Sequence, residues 1–145
     1  MADLKVYDDD ALDIFDISFD DVAQEALEQA APVLETRMKA TARAAVMHPG
    51  ESDMVNSIKA SAVKKSKNGA WIVNVGPRGY SNHTFNRGHD SKRTYPVSNA
   101  LKAIWKEYGI PGRQAAQPFI STAATQTENQ IHDIMQRVFD SKVDK

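Results

Sequence analysis

The sequence contains no cysteine in its 145 residues. That excludes a disulfide framework, a thiolate zinc site, an iron–sulfur cluster and a cysteine nucleophile; an intracellular setting fits the absence without being required by it. No run of about 18 apolar residues occurs, so no membrane-spanning segment is expected. Met1-Ala2-Asp3-Leu4-Lys5 also lacks the basic start and apolar stretch of a secretory signal. There is no glycine-rich phosphate loop: Gly76-Pro77-Arg78-Gly79 follows a strand-like run but does not open a helix. No serine stands in a nucleophile elbow. The four histidines are His48, His83, His89 and His132. Only the group Asn82-His83, Arg87 and His89-Asp90 imitates a small nuclease centre, and its spacing matches no ligand motif. His48 reads as a helix-end residue near the negative dipole terminus, and His132 as a residue on the solvent face of a helix. No catalytic residue, metal or cofactor is expected.

What is present is the mixture of an ordinary globular chain, 41% hydrophobic and 26% charged, in the size range of one domain. The net charge of -1 hides an asymmetry. Residues 1 to 21 carry eight aspartates and one lysine, whereas residues 22 to 76, 77 to 95 and 96 to 145 have net charges of +2, +3 and +1. An acidic arm over residues 1–18 is therefore set against a mildly basic body. Contact between the two, within a chain or between neighbours, is electrostatically favourable, and a solvated acidic tail is the bland alternative.

Within the arm, Leu12-Asp13-Ile14-Phe15-Asp16-Ile17 interleaves apolar and acidic residues, as a short strand or a docking arm would. Ser18 and Asp21 resemble a capping box, placing a helix start near residue 19. Val22, Ala26, Ala30, Val33 and Met38, with Leu27, Leu34, Ala42 and Ala45, recur at three- and four-residue steps. Pro32 should kink or divide this helix, and Pro49-Gly50 should end it. From Ser57 the period changes to two, with Ile58, Ala60 and Ala62 on the inner face. Asn68-Gly69 then supplies a tight turn, and Trp71, Val73 and Val75 alternate on the return strand. Ser98 caps a helix whose apolar stripe is Leu101, Ile104, Trp105 and Tyr108. With Gly109 at C′, the pairing of Ile110 with Trp105 predicts a Schellman stop. Pro118 suits the first position of a last amphipathic helix carrying Ile120, Ala124, Thr127, Ile131, Ile134 and Val138, backed by Phe119, Met135 and Phe139.

These elements predict an α+β fold in which a small antiparallel sheet, the hairpin over 56–76, packs against a long N-terminal helix and a C-terminal helix. The domain runs over 19–140, with a mobile loop over 77–96 and a frayed tail over 141–145. The loop mixes positive charge with aromatics through Arg78, Tyr80, His83, Phe85, Arg87, Lys92 and Arg93. That combination suits contact with a protein partner, or sequence-independent contact with DNA phosphates and bases. Trp71, Trp105, Gly109, Pro118 and Phe119 are the structural anchors, with core packing the favoured role for Trp71, Trp105 and Phe119.

Three stretches then combine in order. His48-Pro49-Gly50-Glu51-Ser52-Asp53-Met54-Val55-Asn56-Ser57-Ile58 leads into the first strand, Glu107-Tyr108-Gly109 follows the hairpin, and Ala116-Gln117-Pro118-Phe119-Ile120-Ser121-Thr122-Ala123 opens the last helix. In this order they resemble the tail-component family of long-tailed phages and prophages, over about residues 20 to 140. The family's usual Thr-Gly is here Glu51-Ser52. The resemblance implies a non-enzymatic virion protein of the neck, made in the host cytoplasm and placed at the head-to-tail junction. There it would complete the tail and join it to the head as a homo-oligomeric ring that lets DNA pass. Its partners would be further copies of itself, adjacent neck proteins and tail-tube or terminator proteins, with DNA in the lumen and no membrane. The alternatives are a tail-terminator ring, or from another class a small DNA-binding or nuclease-like protein using the 78–93 loop.

Overall fold

A computed structural model describes residues 19–48, 50–86 and 94–143. The acidic arm therefore lies outside the described residues, as do Pro49, Arg87, Lys92 and Arg93. The chain folds as α+β. Helix α1 spans Phe19–Ala44 and α2 spans Glu51–Asn56. Four two-residue strands follow, β1 (Lys59–Ala60), β2 (Lys64–Lys65), β3 (Trp71–Ile72) and β4 (Val75–Gly76). Strands β5 (Tyr80–Asn86) and β6 (Thr94–Ser98) precede α3 (Asn99–Tyr108) and α4 (Phe119–Val143).

The two long helices, of 26 and 25 residues, are each nearly 40 Å long at ~1.5 Å per residue and pack against each other. Their direction follows from the core. Near the start of α1, Val22 and Ala26 cluster with Val138 from the end of α4. At its other end Met38 and Ala42 cluster with Phe119 and Ala123 from the beginning of α4. The pair is antiparallel. Alanines at 26, 30, 31, 42 and 123 line the buried seam, and small side chains let the two backbones approach. The Thr41 hydroxyl donates to the Phe119 carbonyl at 2.8 Å, and Lys142 pairs with Glu25 at 2.9 Å at the opposite end.

Of the two expected outcomes at Pro32, division does not occur: α1 runs through it. The ring removes the donor that would serve the Glu28 carbonyl, but both residues are exposed, where water can take its place. The helix ends at Ala44, short of the Pro-Gly break. Residues expected to lead straight into a strand instead form α2, which buries Met54 and Val55 beside Ile58. Ser57 is the C-cap of α2 rather than a strand residue, and its hydroxyl donates to the Met54 carbonyl at 2.6 Å.

The 56–76 hairpin is present as two short antiparallel ladders, β1 with β4 and β2 with β3. Between them the Ser61 N–H donates to the Asn74 carbonyl at 2.7 Å, and the Asn74 N–H to Ser61 Oγ at 2.9 Å. This side-chain bond interrupts the ladder, and Ala62 is exposed rather than inward. Ser66–Gly69 makes the turn, with Gly69 at φ 83°. The ribbon is pinned to α1 at Glu35, which accepts the Ala60 N–H at 2.9 Å, and at Asp20. These points lie about 22 Å apart along the helix.

Within the expected loop over 77–96, residues 80–86 and 94–96 are strand: β5 and β6 pair antiparallel, Thr84 with Pro96 and Phe85 with Tyr95, with an irregularity between Tyr80 and Thr84, and residues 87–93 lie outside the described residues. The two large apolar residues of β5, Tyr80 and Phe85, fall on opposite parities, so no period of two marked the strand. Helix α4 runs to Val143, and the rest of the expected tail, residues 144–145, lies outside the described residues. The ribbon formed by β5 and β6 touches α2 and α3.

Candidate interaction surface

Helix α3 begins as its sequence predicts. Ser98 is the N-cap, accepting the Leu101 N–H at 3.1 Å, and the Asn99 N–H donates to the Gly79 carbonyl at 3.0 Å. Its orientation does not follow the usual rule. The face turned into the protein is Asn99, Ala103, Lys106 and Glu107, a set spaced at three and four residues but mostly polar. Lys106 is 0% exposed. Its ammonium donates to Glu51 Oε2 at 2.7 Å and to the Val46 carbonyl at 2.9 Å. The same Glu51 oxygen accepts the His48 N–H at 3.1 Å. One turn earlier, the Lys102 ammonium reaches the Gly50 carbonyl at 2.7 Å. Two lysines of α3 thus hold the connection from α1 to α2.

Glu107 performs the matching task on α4. Its carboxylate accepts the N–H groups of Ile120 at 2.8 Å and Ser121 at 3.2 Å, and the Ser121 hydroxyl at 2.6 Å. Free N–H groups at a helix start are both unsatisfied donors and the positive end of the dipole, so a buried carboxylate is their natural partner. Gly109 closes the joint at φ 78°. A Cβ there would meet Ala116 N at 2.7 Å and Gln114 O at 2.8 Å. Its N–H donates to the Trp105 carbonyl at 2.8 Å, but Ile110 donates to the Gln114 carbonyl at 2.8 Å. The expected Schellman pairing is thereby replaced by a closed turn between Ile110 and Gln114. Pro118 is exposed and immediately precedes α4, its carbonyl accepting the Thr122 hydroxyl. Phe119 is core as expected, whereas Trp105 and Trp71 are only half-buried.

With the charged face inside, the apolar stripe is left outside. Ile104 is 52% exposed and Tyr108 77%, with Leu101 and Trp105 half-buried between them. Tyr80, 71% exposed, pairs with Ser98 at the N-terminal end of the same helix. At the other end, Tyr108, Ile110, Pro111 and Gly112 line a shallow cleft with Arg113 and Gln114. Single exposed apolar residues are ordinary, but Ile104 and Tyr108 stand one turn apart on the same helix face and so form an exposed apolar patch.

Of the residues expected to contact a partner or DNA, Arg78 and Tyr80 are exposed, and His83 and Phe85 belong to β5. Arg78 uses its backbone structurally, its N–H donating to Ser57 Oγ at 3.2 Å and its carbonyl accepting Asn99 Nδ2 at 2.8 Å. His48 lies beyond the end of α1, and His132 is exposed on α4. Among the described residues no group of three histidines, aspartates or glutamates is arranged to hold a metal, and no helix is long and apolar enough to cross a membrane. Two carboxyl groups are held below their ordinary range, each by a contact pinning the ribbon to α1. The Trp71 indole N–H, then Lys65, lowers Asp20; the Ala60 N–H, then Lys39, lowers Glu35. Neither lies in the cleft. No protein-family model matches the chain, and no curated protein or solved structure matches it significantly.

Proposed function

We propose that this chain is a non-enzymatic structural protein of the phage neck, acting at the head-to-tail junction as one subunit of a ring that lets DNA pass. The observation that carries the reading is the outward apolar face of α3. A helix that buries Lys106 and Glu107 while exposing Ile104 and Tyr108 has its interior contacts already made and its adhesive side free. Large aromatic and aliphatic side chains grouped in this way are the usual anchors of a protein interface. If this face meets a different face of the next subunit, the repeated contact closes into a ring. The three stretches that resemble the tail-component family supply the rigid joints behind it, through Glu51, Glu107, Gly109 and Phe119.

The test is absolute mass by light scattering across concentration, with negative-stain imaging of any large species. The expected result is an open-centred ring for the native chain, reduced to monomer by Ile104→Glu with Tyr108→Glu while circular dichroism stays unchanged. A native chain that remains monomeric throughout, or a double variant that assembles normally, refutes the reading.

A further inference from the structure

The end of the first ribbon is strongly basic. Lys64 and Lys65 form β2, Lys67 stands in the turn beside it, and all three are exposed. Lys65 already has an acidic partner. Asp20 Oδ2 lies 2.9 Å from its ammonium, while Asp20 Oδ1 accepts the Trp71 indole N–H at 2.8 Å. The Lys65 ammonium also stands 5.7 Å from the centre of the Trp71 ring. Neither Lys64 nor Lys67 makes an ion pair among the described residues.

Asp20 belongs to the acidic run that opens the chain. Residues 1–18 hold six further aspartates against one lysine, and the described chain begins at Phe19, one residue from the Lys65 contact. At ~3.3 Å per extended residue, Asp16 can lie about 13 Å from Asp20 and Asp13 about 23 Å, whereas Lys65 and Lys67 are about 7 Å apart along the chain. The tether is long enough to return to the hairpin and short enough to give an effective concentration in the millimolar range. The arm of a separate, unassembled chain at micromolar concentration cannot compete with that.

We infer that the acidic segment over residues 8–17 is the ligand of this lysine hairpin in the same chain, extending the Asp20 contact to Lys64 and Lys67. Charge complementarity and the point at which the chain reaches the fold carry the inference, which does not depend on the ring.

The absence of native cysteine makes the test direct. Ala11→Cys in the full chain gives one site for a nitroxide label, and paramagnetic broadening of backbone amides reports what it approaches. The expected broadening is strongest over residues 63–69. It disappears in Lys64→Glu with Lys67→Glu, and at about 0.5 M salt, where the Debye length is about 4 Å. It persists in the charge-matched control Arg37→Glu with Arg137→Glu, whose residues are exposed elsewhere. A mixture of spin-labelled chain with isotope-labelled native chain should show no such broadening. Broadening centred on another face, spread evenly, retained after reversal of the two lysines, or equally strong in the mixture overturns the inference.

Discussion

Replacing Lys106 by methionine tests whether charge or shape holds α3 in place. The two side chains have similar length, so packing is largely kept while two hydrogen bonds and a buried cation are lost. The Glu51 side chain is 9% exposed and would retain only the His48 N–H as a donor, while the Val46 carbonyl would lose its Lys106 donor. Breaking a buried pair from one side costs about 3–5 kcal/mol, chiefly because the remaining charge is left uncompensated. For a chain of this size that lowers the melting temperature by about 10 °C. Urea denaturation followed by circular dichroism measures the loss. Adding Glu51→Gln removes the stranded charge while keeping an acceptor for His48, so the double variant should recover part of the stability. A loss below about 1 kcal/mol for Lys106→Met, or no recovery in the double variant, would refute the view that the ion pair governs the orientation of α3.

Glu107→Ala strips the start of α4 of its acceptor and should cost about 2 kcal/mol by denaturant unfolding, with Glu107→Gln milder. Gly109→Ala places a methyl within 3 Å of two backbone atoms at a positive φ, so it should destabilise by more than about 2 kcal/mol and shift the amides of residues 114–120. For Glu35 the folded pKa lies below the unfolded one. Its contribution is complete above the unfolded value of about 4.3 and is lost as pH falls through the folded value. Denaturation midpoints between pH 3 and 6 should therefore fall less steeply with acid in Glu35→Gln than in the native chain. Asp20→Asn should move the Trp71 indole N–H resonance in the NMR spectrum.

Legibility in the sequence followed the strength of local patterns. The long helices were visible because their apolar positions recur at helical steps over many turns, and the hairpin because Asn68-Gly69 separates two runs of period two. Ser98 was readable as a cap from its chemistry alone. Helix α2 was not readable: six residues give too little period to register, and what fixes them is the burial of Met54 and Val55 by other elements. The β5–β6 ribbon was not legible because Tyr80 and Phe85 fall on opposite parities of β5 and a proline, Pro96, stands inside β6. The orientation of α3 was not legible. Its stripe of Leu101, Ile104, Trp105 and Tyr108 was found, but a stripe does not state whether it faces core or solvent. A competing signal was available: Asn99, Ala103, Lys106 and Glu107 share the opposite face, and polar residues collected there could serve the ends of neighbouring helices.

The same geometry separates two kinds of residue. Glu51, Glu107, Gly109 and Phe119 are joints, each satisfying a helix end, a tight turn or the core, so folding alone would retain them whatever the protein binds. Tyr80, Ile104 and Tyr108 do almost nothing for the fold, and exposed substitutions of that sort change stability by only about 0.5 kcal/mol. A partner is therefore the more economical reason for large apolar groups at those positions. Damage to a joint should then reduce stability and assembly in proportion, since α3 is carried by those joints. Damage to the outer face should reduce assembly while leaving the melting temperature where it was. A set of variants in which the two quantities always moved together would mean that α3 is merely a structural helix with an untidy exterior.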